Sequence, residues 1–97
     1  MLVVKRGSDE GVRFVLEQEL TRAGRHPENE IFLDDITVSR RHAEFLTSDG
    51  GTSVRDVGSL NGTFVNRERI DDTRRLSSGD EVQIGKFKLL YLMASGE

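Results

Sequence analysis

Residues 56–66 read DVGSLNGTFVN, and most of what can be inferred about this chain starts there. Asn61-Gly62, set between Val57 and Phe64, reads as a tight hairpin turn, because the central positions of such turns favour residues that tolerate φ > 0. A turn needs no more than Asn-Gly. Here it is embedded among Ser59, Thr63 and an exposed-looking Leu60, so the stretch offers hydroxyl and amide groups as well as a bend. Asn61 therefore has two readings. It shapes a turn, or its carbonyl and amide clamp a peptide main chain in both directions.

Outward from this stretch the chain keeps the same grain of short apolar runs between turn signals. LVVK (2–5) reads as a strand closed by the turn-rich RGSDEG. In 12–25, Val12, Val15, Leu16, Leu20 and Ala23 fall at helical spacing, but Glu19 interrupts that face. The flanking glycines and the β-branched and aromatic start favour two strands. IFL (31–33) is a short strand, and 34–41 a polar loop around buried-looking Ile36 and Val38. HAEFLT (42–47) and SVRDV (53–57) flank a hairpin signal, SDGG, and TFVN (63–66) follows. Ile70 and Leu76 read as isolated anchors between turns. Val82 and Ile84, then Phe87, Leu89 and Tyr91 alternating with Lys86 and Lys88, make the clearest pair of strands. Turn signals every eight to twelve residues, with no capped helix, predict an all-β sandwich. In such a fold the loops of one end meet in space, which would gather 24–30, 34–41 and 58–62.

Bulk properties narrow the function. Ninety-seven residues make one domain (1–97, core about 2–93) with a single modest core. The absence of cysteine excludes disulfides, thiolate catalysis and Cys-ligated zinc, and fits a reducing, cytoplasmic setting. No apolar run approaches a membrane span and no signal peptide opens the chain, so no membrane partner is expected. A net charge of −3 and few aromatics argue against a nucleic-acid partner. Any anion site must be a local pocket.

Three segments carry the candidate chemistry. Gly24-Arg25 combines a residue that permits close backbone approach with a guanidinium at a strand end; alone it also reads as a routine turn. Ser39-Arg40-Arg41-His42 offers a hydroxyl and guanidinium suited to phosphate oxygens, with His42 favoured as a loop brace bonded to backbone rather than as a base. Ser59-x-Asn61-Gly62 is the third. An enzyme built on Ser39, His42 and Asp56 is disfavoured, since nothing points to a nucleophile–base bond or an oxyanion hole. Metal-ligand spacing and Gly-rich phosphate loops are absent too.

In this order, Gly-Arg, Ser-x-x-His fourteen residues later and Ser-x-Asn-Gly twenty beyond, the motifs resemble the forkhead-associated (FHA) domain, along essentially the whole chain. GRHPENEIFLDDITVSRRHAEF and DVGSLNGTFVNRERI are more narrowly similar to the small single-FHA regulators of actinobacterial 2-oxoglutarate and glutamate metabolism. The resemblance implies an FHA-type sandwich of about ten to eleven short, mostly antiparallel strands with its binding loops at one end. It implies a phosphothreonine-dependent binding module in Ser/Thr kinase signalling that regulates metabolic enzymes by direct binding. The alternative is phospho-independent docking on folded enzymes through the same face. Phosphate contacts would fall to Ser39 and Arg40, with a further hydroxyl from Ser59. Arg25 would touch the phosphopeptide and Asn61 its main chain, while Gly24, His42 and Gly62 would support the site. Arg41 is assigned no contact. Kinase activation loops and 2-oxoglutarate- or glutamate-metabolising enzymes are the implied partners of a monomer without cofactor, metal or catalytic residues. The relatives also carry an N-terminal segment with a phosphorylatable threonine. Here Met1 leads directly into the first strand, so the expectation is either an excised binding module or a chain without self-inhibition.

Overall fold

The computed structural model describes residues 1–7, 10–48 and 50–93, and within them there are strands and no helix. The eleven strands are β1 (Leu2–Arg6), β2 (Arg13–Phe14), β3 (Leu20–Gly24), β4 (Ile31–Phe32), β5 (Ala43–Ser48), β6 (Gly51–Asp56), β7 (Thr63–Val65), β8 (Glu68–Arg69), β9 (Thr73–Arg75), β10 (Glu81–Ile84) and β11 (Phe87–Tyr91). They form two sheets, ordered β2-β1-β11-β10-β7-β8 and β4-β3-β5-β6-β9. Every pairing is antiparallel except the short parallel one between β3 and β4. This is the all-β sandwich that the turn spacing predicts, and 12–25 is indeed two strands.

The core follows from alternation, because successive side chains of a strand face opposite ways. Phe87, Leu89 and Tyr91 of β11 are buried with Val82 and Ile84 of β10, and Phe45 and Val54 meet them from the other sheet. Leu33, Val38, Ile70 and Leu76 plug the core from connecting segments.

Three readings need correction. Ile36 is 88% exposed, whereas Val38 is buried. The Asp35 carboxylate accepts from both the N–H and the hydroxyl of Thr37, and Val38 N–H donates to Asp35 O (3.0 Å), a tight bend that turns Val38 inward and leaves Ile36 at the tip. Asn61-Gly62 is not a hairpin turn. It lies in the connection between β6 and β7, which belong to different sheets, and only Gly62 has positive φ (89°). A tight two-residue turn does close the next connection, at Asn66-Arg67, with φ of 51° and 71°, joining β7 to β8. Finally, β8 and β9 occupy a stretch that reads as turns. Their two and three residues are too polar for alternation to show, and pairing with β7 and β6 makes them strands.

Candidate functional site

β3 ends in Gly24-Arg25, and the glycine is required by space. A Cβ on residue 24 would lie 2.2 Å from the Arg40 carbonyl oxygen. That close approach lets Arg25 N–H donate to Ser39 O (2.9 Å) and His26 N–H to Arg40 O (3.3 Å). Asn29, 9% exposed, strengthens the join by donating its amide N–H groups to His26 O and Arg40 O, both at 2.9 Å. The loop bearing Ser39 and Arg40 is thus tied to the end of β3. Arg25 Nε donates to Val38 O (3.1 Å), and its terminal nitrogens make no hydrogen bond among the described residues.

His42, fully buried, joins this loop to the 57–62 connection. Its Nδ1 accepts from Ser39 N–H (3.1 Å), so the neutral ring carries its proton on Nε2 and donates it to Gly62 O (2.8 Å). Burial holds the ring below the ordinary imidazole range, against the smaller opposing pull of the Gly62 carbonyl and the Asp56 charge. Both ring nitrogens are spent on backbone.

Asp56 organises the connection from its other side. Its carboxylate accepts from the N–H groups of Gly58 (3.0 Å) and Ser59 (3.2 Å) and the hydroxyls of Ser59 and Thr63. Burial pushes this carboxyl up, but the four bonds together outweigh it and hold the group below its usual range. Ser59 Oγ also accepts from Gly62 N–H (2.9 Å). Its proton points to the Asp56 carboxylate, so the hydroxyl expected to add a phosphate contact is turned toward Asp56 in this structure.

Ser39 is placed differently. Its Oγ accepts from Leu60 N–H (2.9 Å), which leaves its own proton to donate. Asn61 Nδ2 donates to Thr37 O (3.0 Å), while its carbonyl oxygen has no partner among the described residues. Thr37 is in turn held by the β10–β11 turn: Lys86 N–H donates to its hydroxyl (2.9 Å), and Lys86 Nζ meets Asp35 at 3.0 Å. The hydroxyl and N–H of Thr37, then Lys86, bring the Asp35 carboxyl down to about 2.

Arg25, Ser39, Arg40 and Asn61 therefore share one loop end, with Gly24, His42 and Gly62 behind them. Arg25, Arg40 and Arg41 are exposed and enter no ion pair among the described residues. Ile36 and Leu60, 88% and 85% exposed, stand on the two loops that meet there. Sequence reading missed Asn29, Asp35, Thr37, Asp56 and Lys86. Asp35-x-Thr37 and Asp56-x-x-Ser59 are visible as local side-chain-to-backbone patterns; Asn29 and Lys86 act across the fold and leave no local trace. Among the described residues, no group of three or more His, Asp or Glu side chains could hold a metal. No helix there is long and apolar enough to cross a membrane.

Comparison with known proteins agrees with this architecture. The chain is 65% identical over 92 residues to an oxoglutarate dehydrogenase inhibitor of Corynebacterium diphtheriae, covering 95% of the chain and 64% of that protein. It is 63% identical over 92 residues to the glycogen accumulation regulator GarA of Mycolicibacterium smegmatis, covering 95% of the chain and 58% of that protein. The chain thus spans about three fifths of the length of these relatives. Their names fit the narrower likeness to actinobacterial metabolic regulators, and neither is named as an enzyme. The structure of Mycobacterium tuberculosis EmbR in complex with a low-affinity phosphopeptide superposes with a TM-score of 0.87 at 29% identity, over 99% of this chain and 25% of that one. The FHA domain profile matches residues 21–85. By its motifs, its sandwich and this match, the chain belongs to the forkhead-associated (FHA) domain family.

Proposed function

We infer that this chain is a phosphothreonine-dependent peptide-binding module. The observation that carries it is a Ser39 hydroxyl proton without an acceptor among the described residues, set beside the Arg25 and Arg40 guanidiniums, which enter no ion pair there, on loops fixed to one another by backbone hydrogen bonds. A phosphothreonine brings about −1.5 to −2 of charge and three acceptor oxygens. Ser39 and Arg40 would take those oxygens, with Arg25 beside them, and the free Asn61 carbonyl would accept a peptide N–H. Gly24, His42 and Gly62 support these groups, and Ser59, whose hydroxyl bonds Asp56, would add its contact by turning toward the phosphate.

Hydrogen bonds to charged groups are worth roughly 1.5–3 kcal/mol each. Losing the phosphate should therefore weaken binding by about 100-fold or more. No catalysis is required, and His42, with both nitrogens engaged, offers no base. The names of the relatives support metabolic enzymes that use 2-oxoglutarate as the regulated partners, and phosphorylated Ser/Thr kinase activation loops as binding partners follow from the family reading. In this role the module acts in the cytoplasm, as a monomer and without a cofactor.

A second reading, docking on folded enzymes without phosphate, is favoured by the nearly complete exposure of Ile36 and Leu60 beside the same opening. Fluorescence anisotropy with one peptide in phosphothreonine, phosphoserine and unmodified forms separates the two. Tight binding of the phosphothreonine form alone, lost in Ser39→Ala and Arg40→Ala, is the expected result. Equal binding of all three forms would refute the first reading and leave the second.

A further inference from the structure

Next to the loop end that carries Arg25, Ser39 and Asn61 lies a cleft of about 180 Å³, lined by Arg22, His26, Glu28, Asn29, Arg40 and Arg41. Arg40 alone belongs to both. The cleft is smaller than the roughly 300–1,000 Å³ of pockets that engulf a small molecule, so it suits a single side-chain group. Its chemistry is that of an anion receptor. Arg40 and Arg41 have no carboxylate partner among the described residues, and Arg22 is held only loosely by Glu30, at 3.7 Å. His26 accepts Glu28 N–H at Nδ1 (3.1 Å), so its neutral ring carries the proton on Nε2, where no described residue takes it. The wall is fixed, because the Asn29 amide nitrogen bonds His26 O and Arg40 O at once. Glu28 opposes this with the one carboxylate in the lining.

We propose that this cleft is a second anion subsite, which takes a phosphate or carboxylate borne by the same peptide whose phosphothreonine occupies the Ser39–Arg40 opening. It rests on the phosphothreonine reading and adds a role for Arg41, Arg22 and the His26 Nε2–H. Arg40, standing between the two anions, is shared. A guanidinium pair with an N–H donor satisfies several phosphate oxygens in a geometry that a single carboxylate fills less completely. A second phosphate should therefore gain more than a glutamate.

The test uses anisotropy at about 0.15 M salt, where distant charges are screened. The peptides carry phosphothreonine alone, or phosphothreonine with a second phosphoserine or a glutamate at each position within about four residues on either side. At one or two adjacent positions the second phosphate is expected to tighten binding about tenfold, and glutamate by less. Arg41→Ala should remove that gain while leaving the affinity of the singly phosphorylated peptide within about twofold, and Arg41→Lys should restore part of it. Glu28→Gln should enlarge it. The subsite is overturned if no position shows a gain, if all positions gain alike, or if the gain survives Arg41→Ala. A phosphothreonine peptide that binds no better than its threonine form would instead sink the reading of the first site, and the subsite as stated would fall with it.

Discussion

Asn61 and Asn66 sit at the two ends of β7, each in a connection, and the two connections are held in opposite ways. At Asn66-Arg67 the backbone ladder does the holding. Phe64 pairs with Arg69 and Val65 with Glu68, both turn residues adopt positive φ, and the Asn66 side chain is used up. It donates to Asp80 (3.0 Å) and accepts from Glu81 N–H (2.9 Å). At Asn61-Gly62 the chain passes between sheets and has no ladder. Side chains carry it instead: His42 from another segment on Gly62 O, Ser59 of the connection itself on Gly62 N–H, and Asp56 at the end of β6 on Ser59 and Thr63. That leaves the Asn61 side-chain carbonyl without a donor among the described residues. A connection braced from behind can offer polar groups at its front, whereas one that closes a ladder consumes them.

His42→Ala should break this contrast most severely. It leaves Ser39 N–H and Gly62 O without partners, at a cost of roughly 1–3 kcal/mol each. Denaturant unfolding should show the loss, and hydrogen exchange should quicken at Ser39 and Gly62 while the β7–β8 ladder stays protected. Next comes a crossed pair. Asn61→Ala should lower phosphopeptide affinity about tenfold and change stability by less than about 1 kcal/mol. Asn66→Ala should do the reverse, losing roughly 1–2 kcal/mol of stability for two hydrogen bonds with affinity held within about twofold. Reversed results would mean that the two asparagines have exchanged roles.

A pH series sharpens the same contrast. Because burial lowers the His42 pKa in the folded state, the unfolded chain binds the proton first as pH falls below 6.5. Stability contributed by the neutral ring is complete above that value and should decline as pH drops toward the lower folded pKa. Asp35 adds a second limb, present above 3.8 and lost as pH approaches about 2. Thermal melts of His42→Gln should lack the first limb and keep the second. The smallest change is Arg67→Gly. Relieving a left-handed non-glycine residue should raise stability by under about 1 kcal/mol, with binding unaltered.

How much of this was legible in the sequence depended on whether the holding force is local. Strands with alternating burial, such as Glu81–Ile84 and Phe87–Tyr91, announce themselves, because each side chain reports its own face. β8 and β9 do not, since Glu68-Arg69 and Thr73-Arg74-Arg75 become strands only through their neighbours. The same division runs through the site. Gly24, Ser39, Arg40, His42 and Asn61 are weak signals singly and stand out only together, as motifs whose order resembles that of the FHA family. The bridge from Asn29 to the Arg40 carbonyl and the link from Lys86 to Thr37 and Asp35 join segments eleven to fifty-one residues apart and leave no mark on either one. Asn61-Gly62 misleads for the opposite reason. Its local turn signal is strong, but the strands it joins lie in different sheets.

The most direct test of a phosphothreonine site at this loop end is a nitrogen-15 NMR titration with one peptide in phosphothreonine and threonine forms. The phosphorylated peptide should shift the amides of 24–26, 37–41 and 59–62 and leave 66–67 unmoved, while the threonine form should shift nothing at the same concentration. Equal shifts from both peptides, or shifts centred elsewhere on the sandwich, would contradict it.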